Sequence, residues 1–117
     1  MQAANEHGVR IIAYSPLCKG LLSGKYTVEN PPPGMRGRGA REVLPKLPPL
    51  IDKLRAIGEQ HGGKNPAQVA VNWTICKGTL PIPGAKNAGQ VQQNAGAAGW
   101  RLTDDEIAEL DALSAQI

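Results

Sequence analysis

Phenylalanine is absent from this 117-residue chain, and two Trp with two Tyr bring the aromatic share to only 3%. Any core must therefore come from aliphatic side chains and alanine, which suits layers of helix on sheet better than an aromatic β-sandwich. No C-x-x-C pair occurs. Cys18 and Cys76 are far apart in sequence; spacing leaves a disulfide between them open, and reduced, partly buried thiols are the preferred reading. Together with His7 and His61 they are too scattered to make a metal site by spacing. No apolar run approaches the roughly 20 residues that span a bilayer. The first ten residues hold Asn5, Glu6, His7 and Arg10 and lack the apolar segment of a secretory signal, so a soluble intracellular chain is expected. Charge of one sign is also in short supply. Thirteen Lys and Arg against ten Asp and Glu give a net +3, which without an aromatic stacking platform points away from nucleic acid.

What is present has the length of one ordinary domain, with no room for two and no internal repeat. Val9 to Ser15 is a nearly continuous apolar run between Gly8 and Pro16, the pattern of a strand covered on both faces of a parallel sheet. Residues 16–26 carry Lys19, Gly20, Gly24 and Lys25 among leucines and read as an ordered loop at that strand's carboxyl end. Residues 31–41, with three prolines, three glycines and Arg36, Arg38 and Arg41, read as an exposed loop without a core pattern. From Pro48 or Pro49 to about Gln60, Leu50, Ile51, Leu54 and Ile57 recur at helical spacing until Gly62-Gly63. Asn65 then caps a second helix with Pro66 at its first position and Ala67, Ala70, Val71 and Thr74 along one face, ending near Gly78. A strand follows over 79–82, a helix over about 88–97, and a capping box at Thr103 to Glu106 that opens a terminal helix. Trp73 and Trp100 read as packing residues. Two parallel strands joined by helical crossovers can neither close a barrel nor form an adequate open sheet.

The stretch Leu80-Pro81-Ile82-Pro83-Gly84-Ala85-Lys86 carries the strongest functional signal. Prolines on either side of Ile82 take the backbone abruptly out of its sheet, Gly84 and Ala85 let a ligand approach the main chain, and Lys86 adds a positive charge. Asn87 then caps a helix whose free amides and dipole favour phosphate. Strand end, small residues, cation and helix start occur in the order needed to grip a phosphorylated cofactor. Gly20 to Tyr26 only approximates a P-loop, with Lys19 in place of the first Gly and Tyr26 in place of the Ser or Thr that binds Mg²⁺, so nucleoside triphosphate hydrolysis is rejected.

With AYSPL (13–17), GLLSGKY (20–26), NPAQVAVNW (65–73) and PIPGAKN…QQN (81–94) in this order, the chain resembles the carboxyl-terminal part of the aldo-keto reductases, particularly the plant and cyanobacterial type. The resemblance covers essentially every residue. It implies an α/β fold, the last two parallel strands and helices of a TIM (β/α)₈ barrel, with residues 1–117 forming one incomplete domain; a whole barrel needs roughly 250 residues. It further implies an NADP cofactor and reduction of a carbonyl compound by hydride transfer. On this resemblance Tyr14 stacks on the nicotinamide. Ser15, Leu17 and Gly20 line the pyrophosphate, chiefly through backbone N–H groups, with Lys25 as an accessory charge. Ala85 and Lys86 meet the adenosine 2′-phosphate, and Gln93 and Asn94 bond the adenine. Gln90 stands where many relatives have Arg, and Gln93 where many have Glu.

The family's catalytic Asp, Tyr, Lys and His map to no position here, so no catalytic residue is assigned and Tyr14, Tyr26, His7 and His61 are not promoted to the role. The implied setting is the cytoplasm or the plastid stroma. Open barrel edges call for an amino-terminal half or a protein partner to cover them. Two rival readings are a truncated, non-catalytic barrel serving as a structural subunit, and a nucleotide-binding regulatory module. Cys18 reads as an inert thiol, and the arginines of residues 31–41 as a solvated loop rather than a grip for RNA or an acidic partner.

Overall fold

The computed structural model describes residues 1–117. In chain order the elements are α1 (Gln2–Glu6), β1 (Ile12–Tyr14), a 3₁₀ turn (Leu21–Ser23), α2 (Met35–Ala40), a second 3₁₀ turn (Leu44–Lys46), α3 (Pro48–Gln60), α4 (Pro66–Cys76), β2 (Leu80–Ile82), α5 (Ala88–Ala95) and α6 (Asp104–Ser114). Three of the longer helices start where local chemistry places them. The Asn65 Oδ1 accepts from the Gln68 amide at 2.8 Å, and the Gln68 carboxamide accepts from the Asn65 amide at 3.0 Å. Thr103 and Glu106 form the same reciprocal pair at α6, whose first turn adds Asp104 and Asp105, where acidic groups oppose the positive helix end. Asn87 caps α5 through the Gln90 amide.

β1 and β2 run parallel, with Ile12 opposite Leu80, Ala13 opposite Pro81 and Tyr14 opposite Ile82. Proline is tolerated in mid-strand because the Leu80 amide reaches back to the Ile11 carbonyl of the first strand. Alternation then turns the nitrogen of Pro81 to the open edge, where a missing donor costs nothing. The first strand differs from its expected form. It is three residues long, and Ile12 and Tyr14 on it, with Leu80 and Ile82 opposite, are exposed. An apolar run that reads as doubly covered is covered here on one side only, because two strands and the helices behind them supply a single face.

The core lies between helices instead. Leu47, Leu50, Ile51, Leu54 and Ile57 of α3 and its approach pack with Val69 and Ala70 of α4, with Leu102, and with Leu110 of α6. The buried side of α4 runs through Val69 to Asn72, while Ala67 and Thr74 are only half-buried. The segment 31–41 is also corrected: residues 35–40 are helical, and Gly37 and Ala40 are buried. No apolar period announces this turn, since its packing uses a glycine and an alanine. Both cysteines are free, and Cys18 is exposed rather than partly buried.

α6 is tied down at several points. Asp111 accepts from the Trp73 indole at 3.0 Å and pairs with Lys77, and Lys53 pairs with Glu109. At the start of α6, His61 Nε2 lies 2.8 Å from the Glu106 carboxylate, and the His61 ring packs on Trp100 in a tilted arrangement with 5.0 Å between ring centroids. Burial raises the pKa of Glu106, but the Thr103 amide, the hydrogen bond and charge of His61, and the Thr103 hydroxyl together bring it below the usual carboxylate range. A pKa lower in the folded than in the unfolded chain stabilises the fold above the unfolded value, and the stabilisation is lost as pH falls through the folded one. Glu106→Gln is therefore expected to flatten the acid limb of stability below about pH 5. Urea midpoints for both proteins at pH 7 and pH 4 check this; equal losses on acidification would contradict it.

Candidate functional site

The carboxyl ends of β1 and β2 open side by side, and the loops that leave them form the two walls of one groove of about 830 Å³. One wall is Ser15 to Tyr26, the other Pro83 to Lys86 with Gln90, Gln93 and Asn94 of α5. The groove thus collects Ser15, Leu17, Gly20, Lys25, Ala85, Lys86, Gln90, Gln93 and Asn94, nine of the ten positions singled out in the sequence. Tyr14 is not among its lining residues. Its ring sits beside Ile82 at the strand end, 81% exposed on the uncovered face of the sheet.

The first wall has a strained backbone. Ser15, Cys18 and Lys19 adopt φ of 49°, 49° and 58°, each costing about 1 kcal/mol for a residue with a Cβ. Tight turns hold them there: the Cys18 amide donates to the Ser15 carbonyl at 2.9 Å, and the amides of Gly20 and Leu22 both donate to the Leu17 carbonyl. The Gly20 amide is thereby engaged, so it is not free to serve a ligand as its place in the pattern implied. The amides of Ser15, Leu17 and Lys19 have no partner within the chain. Strain of this kind persists where surrounding contacts impose it, commonly at ligand sites.

The second wall is braced by the polar residues that the sequence offers as ligand contacts. The Gln90 carboxamide accepts from the Lys86 amide at 2.6 Å, and Asn94 Nδ2 donates to the Gly84 carbonyl at 3.2 Å. Gln68 of α4 holds the far end of α5 by donating to the Gln93 carbonyl at 3.0 Å. Gln90 and Asn94 therefore position the loop around Lys86. A Cβ added at Gly84 would meet nothing within 4 Å, so the main chain there stands open to the groove.

Lys19, Lys25, Arg36 and Lys86 line the groove and no carboxylate does, although the chain as a whole is nearly balanced in charge. Concentrating cations around unpartnered amides favours a polyanion. Lys19 and Arg36 were not identified as contributors from the sequence. Arg36 comes from α2, which had no periodic signal, and Lys19 follows a cysteine in a loop whose direction the tertiary fold sets. Neither histidine lines the groove; His61 is bonded to Glu106 at 2.8 Å, at the junction of α3 and α6. No group of three or more His, Cys, Asp or Glu is placed to hold a metal ion, and no helix is long and apolar enough to cross a membrane.

Comparison with known proteins adds a lineage to this geometry. The model of the aldo/keto reductase family matches residues 1–115. A chloroplastic pyridoxal reductase of Arabidopsis thaliana is 49% identical over 107 residues, 92% of this chain and 29% of that protein. An NADP(+) aldo-keto reductase of Schizosaccharomyces pombe is 31% identical over 94% of this chain and 34% of its own length. Among solved structures, the glycerol dehydrogenase of Gluconobacter oxydans superposes with a TM-score of 0.83 at 30% identity, covering 97% of this chain and 36% of that one. The chain spans about a third of the length of these relatives.

Proposed function

This chain belongs to the aldo/keto reductase family, folding as the last two strands and helices of its barrel, and on that premise we propose that it forms the cofactor clamp of an NADP-dependent reductase of aldehydes or ketones. The observation that carries the reading is the single groove at two adjacent strand ends, lined by four cations and no carboxylate. Residues 1–117 are then one part of a single domain. Lys86, with the open main chain at Gly84 and Ala85, takes the 2′-phosphate. The free amides of Ser15, Leu17 and Lys19, with Lys25 and Arg36, take the pyrophosphate. Gln93 and Asn94 face the adenine, Gln90 keeps Lys86 in place, and Tyr14 offers its exposed ring to the nicotinamide.

When bound, NADPH supplies the hydride. The chain's own part is to neutralise about three to four phosphate charges and fix the cofactor's direction, because cations and amides fixed in advance cost no reorganisation on binding. The proton for the carbonyl oxygen is assigned to none of its side chains, which leaves that step to residues of a complete barrel. The exposed face of Ile12, Tyr14, Leu80 and Ile82 is the surface against which an amino-terminal half or a protein partner would close. That face also supports the second reading, a structural subunit without chemistry. The chloroplastic relative supports a plastid setting.

Titrating NADPH into the 117-residue chain and following cofactor fluorescence tests the clamp. Saturable binding, with NADH at least about tenfold weaker for want of the 2′-phosphate contact, is the expected result. A folded chain that binds neither would overturn the clamp and favour the structural subunit.

A further inference from the structure

α2 divides its arginines between two cavities. Arg36 lines the groove, whereas Arg38 and Arg41, three residues apart and so on one side of the helical turn, line a separate cavity of about 490 Å³. The two cavities share no lining residue. Pro32, Gly37 and Leu44 form a buried floor, and Val28 adds an exposed apolar wall. Close backbone contact seals that floor: a Cβ at Gly37 would sit 2.2 Å from the Pro32 carbonyl oxygen, so only glycine lets the helix lie on the proline segment. No carboxylate lines the cavity, and neither guanidinium takes part in the chain's ion pairs, which engage Lys53, Arg55, His61 and Lys77.

Two unpaired guanidinium groups over an apolar floor, in a concavity of ligand size, differ from an ordinary solvated arginine face. Each planar fork can give two parallel hydrogen bonds to an oxyanion, and two such charges suit a dianion. We propose that this cavity binds a small organic phosphate monoester, its phosphate between Arg38 and Arg41 and its apolar body against Val28, Pro32 and Leu44. The site stands apart from the cofactor groove and does not depend on that assignment.

Phenyl phosphate titrated into the 117-residue chain at constant ionic strength, followed by ¹⁵N chemical shifts, tests the proposal. Saturable shifts are expected at the Gly34 and Gly37 amides and at the Nε of both arginines, with inorganic phosphate at least about tenfold weaker because it leaves the apolar floor unused. The double variant Arg38→Gln, Arg41→Gln should lose this binding by about tenfold or more, and Lys86→Ala should leave it unchanged. Both arginines are exposed, so the variant is expected to keep the parent's urea midpoint. Shifts that never saturate, that survive in the double variant, that arise only around Gly84 to Lys86, or that inorganic phosphate reproduces at equal affinity would each overturn it.

Discussion

Lys86→Ala is expected to weaken NADPH binding by about ten- to a hundredfold while changing NADH by no more than about twofold, the range of one charge-assisted hydrogen bond to a phosphate. The asymmetry follows from where the other charges are. Lys19, Lys25 and Arg36 line the same groove, and they with the free amides of Ser15, Leu17 and Lys19 remain for the pyrophosphate that both cofactors share. Lys86 sits on the opposite wall, its amide pinned by Gln90 and its neighbours by the Asn94 to Gly84 bond. Fluorescence titration with both cofactors at constant ionic strength measures the ratio. Equal weakening of the two would mean that Lys86 serves the common pyrophosphate and would remove the 2′-phosphate assignment.

Asn72→Leu is expected to cost about 3 kcal/mol or more and to lower the urea midpoint by about 2 M, taking a slope ordinary for a small domain. Asn72 is fully buried in the middle of α4. Its Nδ2 donates to the carbonyls of Ala97 and Trp100 at 2.9 and 2.8 Å, and its Oδ1 accepts from the Leu102 amide at 3.2 Å. One carboxamide thus satisfies three backbone groups of the irregular segment between α5 and α6. Leucine has similar volume and could fill the space, but it would leave those groups buried and unpaired, which outweighs the apolar gain. The loss reaches the site as well, because the same segment anchors the end of α5, which carries Gln90 and Asn94. Chemical denaturation of both proteins decides it; a change under about 0.5 kcal/mol, the size of an ordinary surface substitution, would show that the three backbone groups find water instead.

Helices α3, α4 and α6 could be located from sequence because their determinants are close neighbours: a hydrophobic period, Asn65 with Pro66 and Gln68, Thr103 with Glu106. The proposed anion site was legible for the same reason. Lys86, Gly84 and the Asn87 cap lie within four residues of one another, and the AYSPL and GLLSGKY stretches place the other wall. Asn72 left one sign that passed unread, a carboxamide between Val71 and Trp73 in an otherwise apolar helical turn. α2 left none, since Gly37 and Ala40 become core residues only by resting against Pro32 and the cluster around Leu44.

The sequence by itself determined where α3 to α6 begin and the family to which the chain belongs, because each of these is written in short-range residue order. Only the tertiary structure decided that the core lies between α3, α4 and α6 rather than on the sheet. It alone showed that Tyr14 stands on an open face, that Gly20 has spent its amide, and that Arg36 joins Lys86 across fifty residues while Arg38 and Arg41 turn to another cavity. The physical reason is that burial, the engagement of a backbone donor and the summing of charges in one groove depend on what packs alongside, and that is set by contacts between segments far apart in the chain.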